Sequence, residues 1–193
     1  MSLAGLVLAG GSGTRFGGVD KALLELCGQP LIAHLLSRLR PQVADIAISA
    51  NGDPARFHDD HLPVLADGAL AGRGPLAGVA AGLAWAAAAG AEALLTVPVD
   101  TPFIPRDLAA RLSPAPSVAV WRERQHHLVT LWPVTALPVL QTYLAAPGDH
   151  RVRDALALIQ ARPVRFTTPS DPFLNINTPA DLEAAAHRLA TDR

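Results

Sequence analysis

The sequence predicts an α/β domain with one mostly parallel sheet and helices on both faces. Three observations carry that reading. Short apolar runs alternate with helical stretches from the N-terminus onward. The first run, Leu3 to Ala9, feeds straight into a loop that holds five glycines between Gly10 and Gly18. Each later run in the first half closes on a polar residue, as parallel strands do where their carboxyl ends surround a ligand crevice.

Leu3–Ala9 is continuously apolar, the pattern of a strand buried on both faces. Leu31–Leu39 carries apolar residues at helical spacing. Ile46–Ala50 is a second strand, stopped by Asn51-Gly52-Asp53-Pro54, and Val64-Leu65-Ala66 is a short third strand ending at Asp67. A loop through Gly72, Gly74 and Pro75 enters an Ala-rich helix from Leu76 to Ala89. Ala93–Val99 is the fourth strand, ending at Asp100-Thr101-Pro102. Right-handed crossovers between such strands put helices on both faces.

The second half is less regular. Val118–Trp121 and Leu128–Trp132 read as strands around a polar turn, Arg122–His127. Helices are expected at Thr135–Ala146 and Val152–Ala161, punctuated by Pro147-Gly148-Asp149. Val164-Arg165-Phe166 and Phe173-Leu174-Asn175 form a final pair of strands in this reading. A last helix starts at Pro179, with Thr178 as N-cap and Pro179 at the first helical position. No composition shift and no internal repeat divides the chain. One domain, 1–193, is expected, with a nucleotide-binding half at 1–105 and an acceptor half at 106–193.

Apolar residues make up 50% of the 193 and charged residues only 17%, against a usual charged share of about 25%. A large core and a lightly charged surface follow. A net charge of −1 lacks the broad basic field that nucleic acid or an anionic membrane requires, so any phosphate must be held locally. Cys27 is the single cysteine, which excludes a disulfide framework and a Cys-based zinc site and suits a reducing cytoplasm. The first apolar run is short, lacks preceding basic residues and ends in glycines, unlike a signal peptide. Leu76 to Val99 holds one charge, Glu92, over a membrane-spanning length. Its Ala and Gly content and the turn at Ala89-Gly90-Ala91 instead predict a buried helix followed by a buried strand. His126 and His127 would point to opposite sides of a strand, not to one metal ion.

The chemistry is expected at the strand ends. Glycines let backbone N–H groups crowd around an anion, and Arg15 and Lys21 add positive charge for a polyphosphate. Ser49 or Asn51 can meet polar edges of a nucleotide, and Asp67 can accept hydrogen bonds from base or ribose. Asp100, at a strand tip between Pro98 and Pro102, suits Mg²⁺, which takes one or two carboxylates together with waters and substrate phosphates. The helix start at Gly74-Pro75-Leu76 offers free N–H donors.

The loop fits neither a Walker A motif, since Lys21 lies between Asp20 and Ala22, nor a dinucleotide fingerprint, since Phe16 stands where the third glycine belongs. Its order of Leu8-Ala9-Gly10-Gly11-Ser12-Gly13, Arg15, Gly17 and Asp20-Lys21 resembles the signature of the nucleotidyltransferases that build activated sugars and pterins. The form here resembles the molybdenum cofactor guanylyltransferase branch. Gly74-Pro75-Leu76-Ala77-Gly78, Asp100-Thr101-Pro102 and the segment Asn175-Ile176-Asn177-Thr178-Pro179-Ala180-Asp181-Leu182 extend the resemblance over nearly the whole chain, in family order. Position 49 departs from it, with Ser where some relatives have Asn. So does position 16, with Phe where Met is common.

The resemblance implies a Rossmann-like nucleotidyltransferase fold, GTP and molybdopterin as substrates, and Mg²⁺ as cofactor held by Asp100. It implies nucleotide contacts from Leu8 through Gly13, Lys21, Ser49, Asn51, Asp67, Gly74, Pro75, Leu76 and Asp100, with Arg15, Lys21 and Asp100 catalytic. His126, Arg151, Asn175 and Asn177 would serve the acceptor side, across the transferred phosphorus from Lys21. A cytoplasmic monomer is expected, with transient contacts to other cofactor-biosynthesis or acceptor proteins. Alternatives are a cytidylyltransferase or sugar-phosphate nucleotidyltransferase on the same fold, and a non-catalytic nucleotide-binding module. The Pro-Leu version of the helix start counts against the first, and retention of Lys21 and Asp100 against the second.

Overall fold

The computed structural model describes residues 2–10 and 20–191, with backbone alone at 58–60. Strand β1 (Leu3–Leu8) is followed by a small hairpin, β2 (Glu25–Leu26) and β3 (Gln29–Pro30), and by helix α1 (Leu31–Leu39). Next come β4 (Asp45–Ser49), a 3-10 turn at Pro54–Asp60, β5 (Val64–Leu65), α2 (Pro75–Ala88) and β6 (Ala93–Pro98). The second half contains α3 (Leu108–Leu112), β7 (Ser117–Trp121), β8 (Arg124–Pro133), α4 (Leu137–Ala145), α5 (Val152–Leu158), β9 (Arg162–Phe166) and α6 (Pro179–Thr191).

Seven strands form one sheet in the order β5-β4-β1-β6-β8-β7-β9. β1 lies parallel between β4 and β6, β4 pairs parallel with β5, and β7 pairs parallel with β9. β8 runs antiparallel to both β6 and β7. The sheet is therefore mostly parallel, as expected. The chain leaves β1 for β4 and β5 on one side and returns through α2 to β6 on the other. That reversal of strand order creates the crevice at the carboxyl end of β1.

Alternate residues of β1 face opposite layers. Val7 joins Leu35, Leu39, Ile48, Val97 and Leu108 in the core under α1 and α3. Ala4, Leu6 and Leu8 join Leu76, Val79, Leu83, Leu94, Trp132 and Leu140 under α2 and α4. A third cluster of Leu26, Leu31, Phe103, Ile176 and Ala185 attaches α6 and the β2–β3 hairpin. The stretch from Leu76 to Val99 divides between α2 and β6, and among the described residues no helix is long and apolar enough to cross a membrane.

Two expectations are corrected. Phe173-Leu174-Asn175 is not a strand. The side chain of Asp171 takes the Phe173 N–H at 2.8 Å, and the segment meets the tip of β6 through one backbone bond, Ile176 N–H to the Asp100 carbonyl at 2.9 Å. The expected polar turn Arg122–His127 shrinks to Arg122-Glu123, because Arg124, Gln125 and His126 pair with Trp121, Val120 and Ala119 in the β7–β8 ladder. Strand pairing there overrides polar composition. The β2–β3 hairpin and α3 carry too few residues to show a period.

Glycine sets how closely α2 approaches the sheet. A Cβ on Gly82 would stand 2.5 Å from Leu6 Cδ2, 3.2 Å from Leu6 Cδ1 and 3.0 Å from Leu94 Cδ2. Both leucines are fully buried, and rotating Leu6 merely exchanges one methyl for the other. Overpacking of this kind costs about 1–3 kcal/mol, and alanine's better helix propensity returns about 1 kcal/mol. Gly82→Ala should therefore lower the unfolding free energy by about 1 kcal/mol in urea titration. Leu6→Val in the same background should recover part of that loss.

Candidate active site

A cleft of about 930 Å³ opens at the carboxyl end of the sheet. Leu8, Ala9 and Gly10 line it from the end of β1, Ser49 and Asn51 from β4, Asp67 from the turn after β5, and Gly74, Pro75 and Gly78 from the start of α2. A second recess, about 210 Å³, shares Leu8, Ala9, Gly10, Pro75 and Leu128 with this cleft. It adds Lys21, Pro98, Val99, Asp100 and Asn175. The residues expected at four strand ends thus meet in one continuous depression. Gly11, Ser12, Gly13 and Arg15 lie outside the described residues. The Leu76 side chain is fully buried in the core under α2, so at this position only the backbone of the helix start is left to face the cleft.

The α2 start is built by glycine. Gly74 has φ +69°, ψ −162°, a conformation L side chains rarely adopt, and it precedes Pro75 at the first helical position. Gly78 leaves room for the buried Ser49, whose Oγ would lie far inside contact distance of an added Cβ. Nearby, Asn51 and Asp67 hold each other reciprocally. Asn51 Nδ2 donates to Asp67 Oδ2 at 2.7 Å, and Asp67 N–H donates to Asn51 Oδ1 at 3.1 Å. Asn51 therefore aims the Asp67 carboxylate.

Asp100 is the hub of the second recess. Lys21 Nζ lies 3.0 Å from its Oδ2, and Asn175 Nδ2 donates to Oδ1 at 2.9 Å. Lys21 also donates to Asn177 Oδ1 at 2.5 Å. Asn175 and Asn177 thus converge on Lys21 and Asp100. The expected separation of Lys21 and Asn177 across the transferred phosphorus is corrected, because the two side chains are hydrogen-bonded partners. The Ile176 N–H bond to Asp100 draws the Asn175–Asn177 segment onto the strand tip.

Asp181 fixes that segment from behind. Its Oδ2 accepts from Asn177 N–H at 2.9 Å and Thr178 N–H at 2.8 Å, while its own N–H donates to Thr178 Oγ1 at 3.2 Å. This is a capping box at the start of α6 with one additional bond. The Asn177 backbone N–H, then the Thr178 side chain, hold the Asp181 carboxyl below its ordinary range. The Thr178-x-x-Asp181 spacing would have revealed it in the sequence. Asp20 and Arg56, with Arg56 Nε 3.0 Å from Asp20 Oδ2, also line the main cleft, and no motif announced Arg56.

His126 and Arg151 are not brought together. His126 lines a recess of about 190 Å³ with Pro98, Thr101, Arg124 and Asn175. Arg151 lines a depression beside Gly72, Arg73, Gly74 and His150 that shares no lining residue with it. His126 is buried, with its ring centroid 4.9 Å from that of Phe173 and Nε2 3.8 Å from Asp171 Oδ1. Burial lowers its pKa, Asp171 opposes, and the charges of Arg124 and His127 add to the lowering.

Sheet order, strand-end cleft and lysine-paired carboxylate together define a nucleotidyltransferase of the α/β class. The MobA-like NTP transferase domain matches residues 5–164. The chain is 56% identical over 183 residues to a molybdenum cofactor guanylyltransferase of Acidiphilium cryptum, covering 95% of this chain and 93% of that protein. It is 51% identical over 196 residues to a protein of the same name from Cereibacter sphaeroides, covering both completely. The chain belongs to the molybdenum cofactor guanylyltransferase family. Two solved structures share its fold. Molybdopterin-guanine dinucleotide biosynthesis protein A of Archaeoglobus fulgidus has TM-score 0.73 at 20% identity, covering 97% of this chain and 99% of that one. A CMP:2-keto-3-deoxy-manno-octonic acid synthetase complexed with CTP has TM-score 0.68 at 18% identity, covering both chains completely.

A folded-state pKa below the ordinary value of 6.5 means that, as pH falls below about 6.5, His126 binds its proton in the unfolded chain first. Its presence therefore costs stability progressively below that pH. His126→Phe should lose less stability than the wild type between pH 7 and 5, measured by urea titration at each pH.

Proposed function

We propose that this protein transfers GMP from GTP to the terminal phosphate of molybdopterin, with or without bound molybdenum, releasing pyrophosphate and forming the guanine dinucleotide cofactor. The observation that carries the reading is the Lys21–Asp100–Asn175–Asn177 cluster at the end of β6, opening onto the nucleotide-sized cleft. High identity to proteins named molybdenum cofactor guanylyltransferase supports the choice of substrates.

A phosphate monoester with second pKa about 6 is already largely ionised near neutrality, so the acceptor needs no general base. Its oxygen attacks the α-phosphorus of GTP, the bond from that phosphorus to the bridging oxygen breaks, and pyrophosphate carries away the electron pair. The protein's tasks are alignment and charge stabilisation. Lys21, held by Asn177, supplies positive charge beside the reacting phosphates. Asp67, aimed by Asn51, accepts from guanine or ribose donors, and the α2 start places N–H groups at the base.

The donor set of this site fits Mg²⁺. Asp100 offers a single, part-exposed carboxylate, and among the described residues no three His, Cys, Asp or Glu side chains gather. Such an ion would take its remaining ligands from water and substrate phosphates, the preference of Mg²⁺. Bound at Asp100, it would neutralise charge on the reacting phosphates. Cys27, exposed and unpaired, supports a cytoplasmic setting.

Incubation with GTP, Mg²⁺ and molybdopterin should yield the guanine dinucleotide by mass spectrometry, whereas CTP should give no product. Asp100→Asn should nearly abolish that product while the fold is retained. Product from CTP in preference to GTP, or wild-type activity in Asp100→Asn, would overturn the respective assignment.

Because Lys21 and Asn177 touch, their substitutions should not add. Lys21→Ala and Asn177→Ala should each slow single-turnover transfer, and the double variant should fall short of the summed effects by about 0.5–3 kcal/mol of coupling. Simple additivity would separate their roles.

A further inference from the structure

The reaction as proposed leaves Arg56 without a role, yet among the described residues it is the cation that lines the main cleft. Its Cζ lies 4.9 Å from the ring centroid of the buried Phe57, and its Nε is 3.0 Å from Asp20 Oδ2. A Cβ on Gly52 would stand 3.3 Å from its Nη1, so glycine makes room for the guanidinium there. Held on these sides, Arg56 still lines the cleft alongside Asn51 and Asp67. Part-exposed ion pairs add little stability, and ordering a long arginine costs entropy, so stability does not account for this seating. Pre-organisation for an anionic ligand does.

Asp20 supplies the direction. Its other oxygen accepts the Ala22 N–H at 3.0 Å, and the next residue, Lys21, reaches Asp100. Residues 20 and 21 therefore carry one charged contact in the base-side cleft and one in the recess of the reacting phosphorus. A polyphosphate whose α-phosphate lay beside Asp100 would have Lys21 next to it and, one residue earlier, Asp20 with the Arg56 guanidinium within its reach.

We propose that Arg56 is a ligand of the β,γ-diphosphate, exchanging part of its contact with Asp20 for phosphate oxygens and steadying the leaving pyrophosphate. The inference rests on the GTP-dependent reading of the site. The guanidinium's N–H groups form a planar fork that suits phosphate oxygens, and lysine lacks that fork.

Calorimetry in Mg²⁺ with GTP, GDP, GMP and guanosine tests it, alongside Arg56→Ala and Arg56→Lys. Arg56→Ala should bind GTP and GDP at least tenfold more weakly, with GMP and guanosine within twofold of wild type and an unchanged urea midpoint. Arg56→Lys should fall between. Equal losses across all four ligands, or no loss for any, would overturn the assignment. Should the wild type not bind GTP, the guanylyl reading falls instead. Arg56 is then judged on pyrophosphate alone, where Arg56→Ala must still bind at least tenfold more weakly than wild type.

Discussion

The arrangement of the active site depends on one carboxylate, that of Asp100. It stands at the tip of β6, and two distant parts of the chain are fastened to it. Lys21 is 79 positions away and Asn175 is 75, yet both reach its oxygens, and Ile176 bonds its backbone carbonyl. The segment after β9 has no ladder of its own, so these bonds and the packing of Ile176 and Phe173 bring it to the sheet. A charged acceptor makes such bonds stronger than neutral ones. The same carboxylate is thus both the closure of the C-terminal segment and the candidate metal ligand.

That closure works only because the sheet presents a fixed edge. β1 and β6 are buried on both faces and paired residue for residue, so the ends at Leu8 and Pro98 cannot drift apart. Gly82 seats α2 near Leu6 and Leu94, and Gly78 does so at Ser49. The helix start, with Gly74 at positive φ, then arrives at the mouth of the cleft. Packing density in the core is what gives the polar residues their geometry.

Much of this was legible in the sequence, because strands in the first half are short, uninterrupted apolar runs with glycine or Asx stops. Leu31–Leu39 matches α1 to the residue, and β1, β4, β5, α2 and β6 differ by one or two positions at their ends. Asp67 and Asp100 fall where strand-end logic places them, while Lys21 and Asn175 reach Asp100 from outside any strand. The failures have physical causes. Polar Arg124–His127 joins β8 because a neighbouring strand supplies its partners, which composition does not show. Phe173–Asn175 has strand-like residues but spends them on side-chain contacts to His126, Phe166 and Asp100. The contact between Lys21 and Asn177 spans 156 positions, and only the fold reveals it.

The described site stores each of two cations against an acid, Lys21 with Asp100 and Arg56 with Asp20. This is how a chain of net charge −1 offers positive groups to a polyanion without a repulsive patch along the cleft. It also governs how substitutions act. Removing a cation subtracts an attractive group and, in addition, leaves a carboxylate facing incoming phosphates. The loss on truncation therefore exceeds the contribution of the cation itself, as for any charge pair cut on one side. A neutral amide in place of the acid has the opposite balance, since it frees the cation while keeping an oxygen acceptor. At Asp100 that gain would be outweighed by loss of the charge that the proposed Mg²⁺ needs. Asp20 holds Arg56 with one oxygen and the Ala22 N–H with the other, and an amide in its place would still offer an oxygen to that N–H.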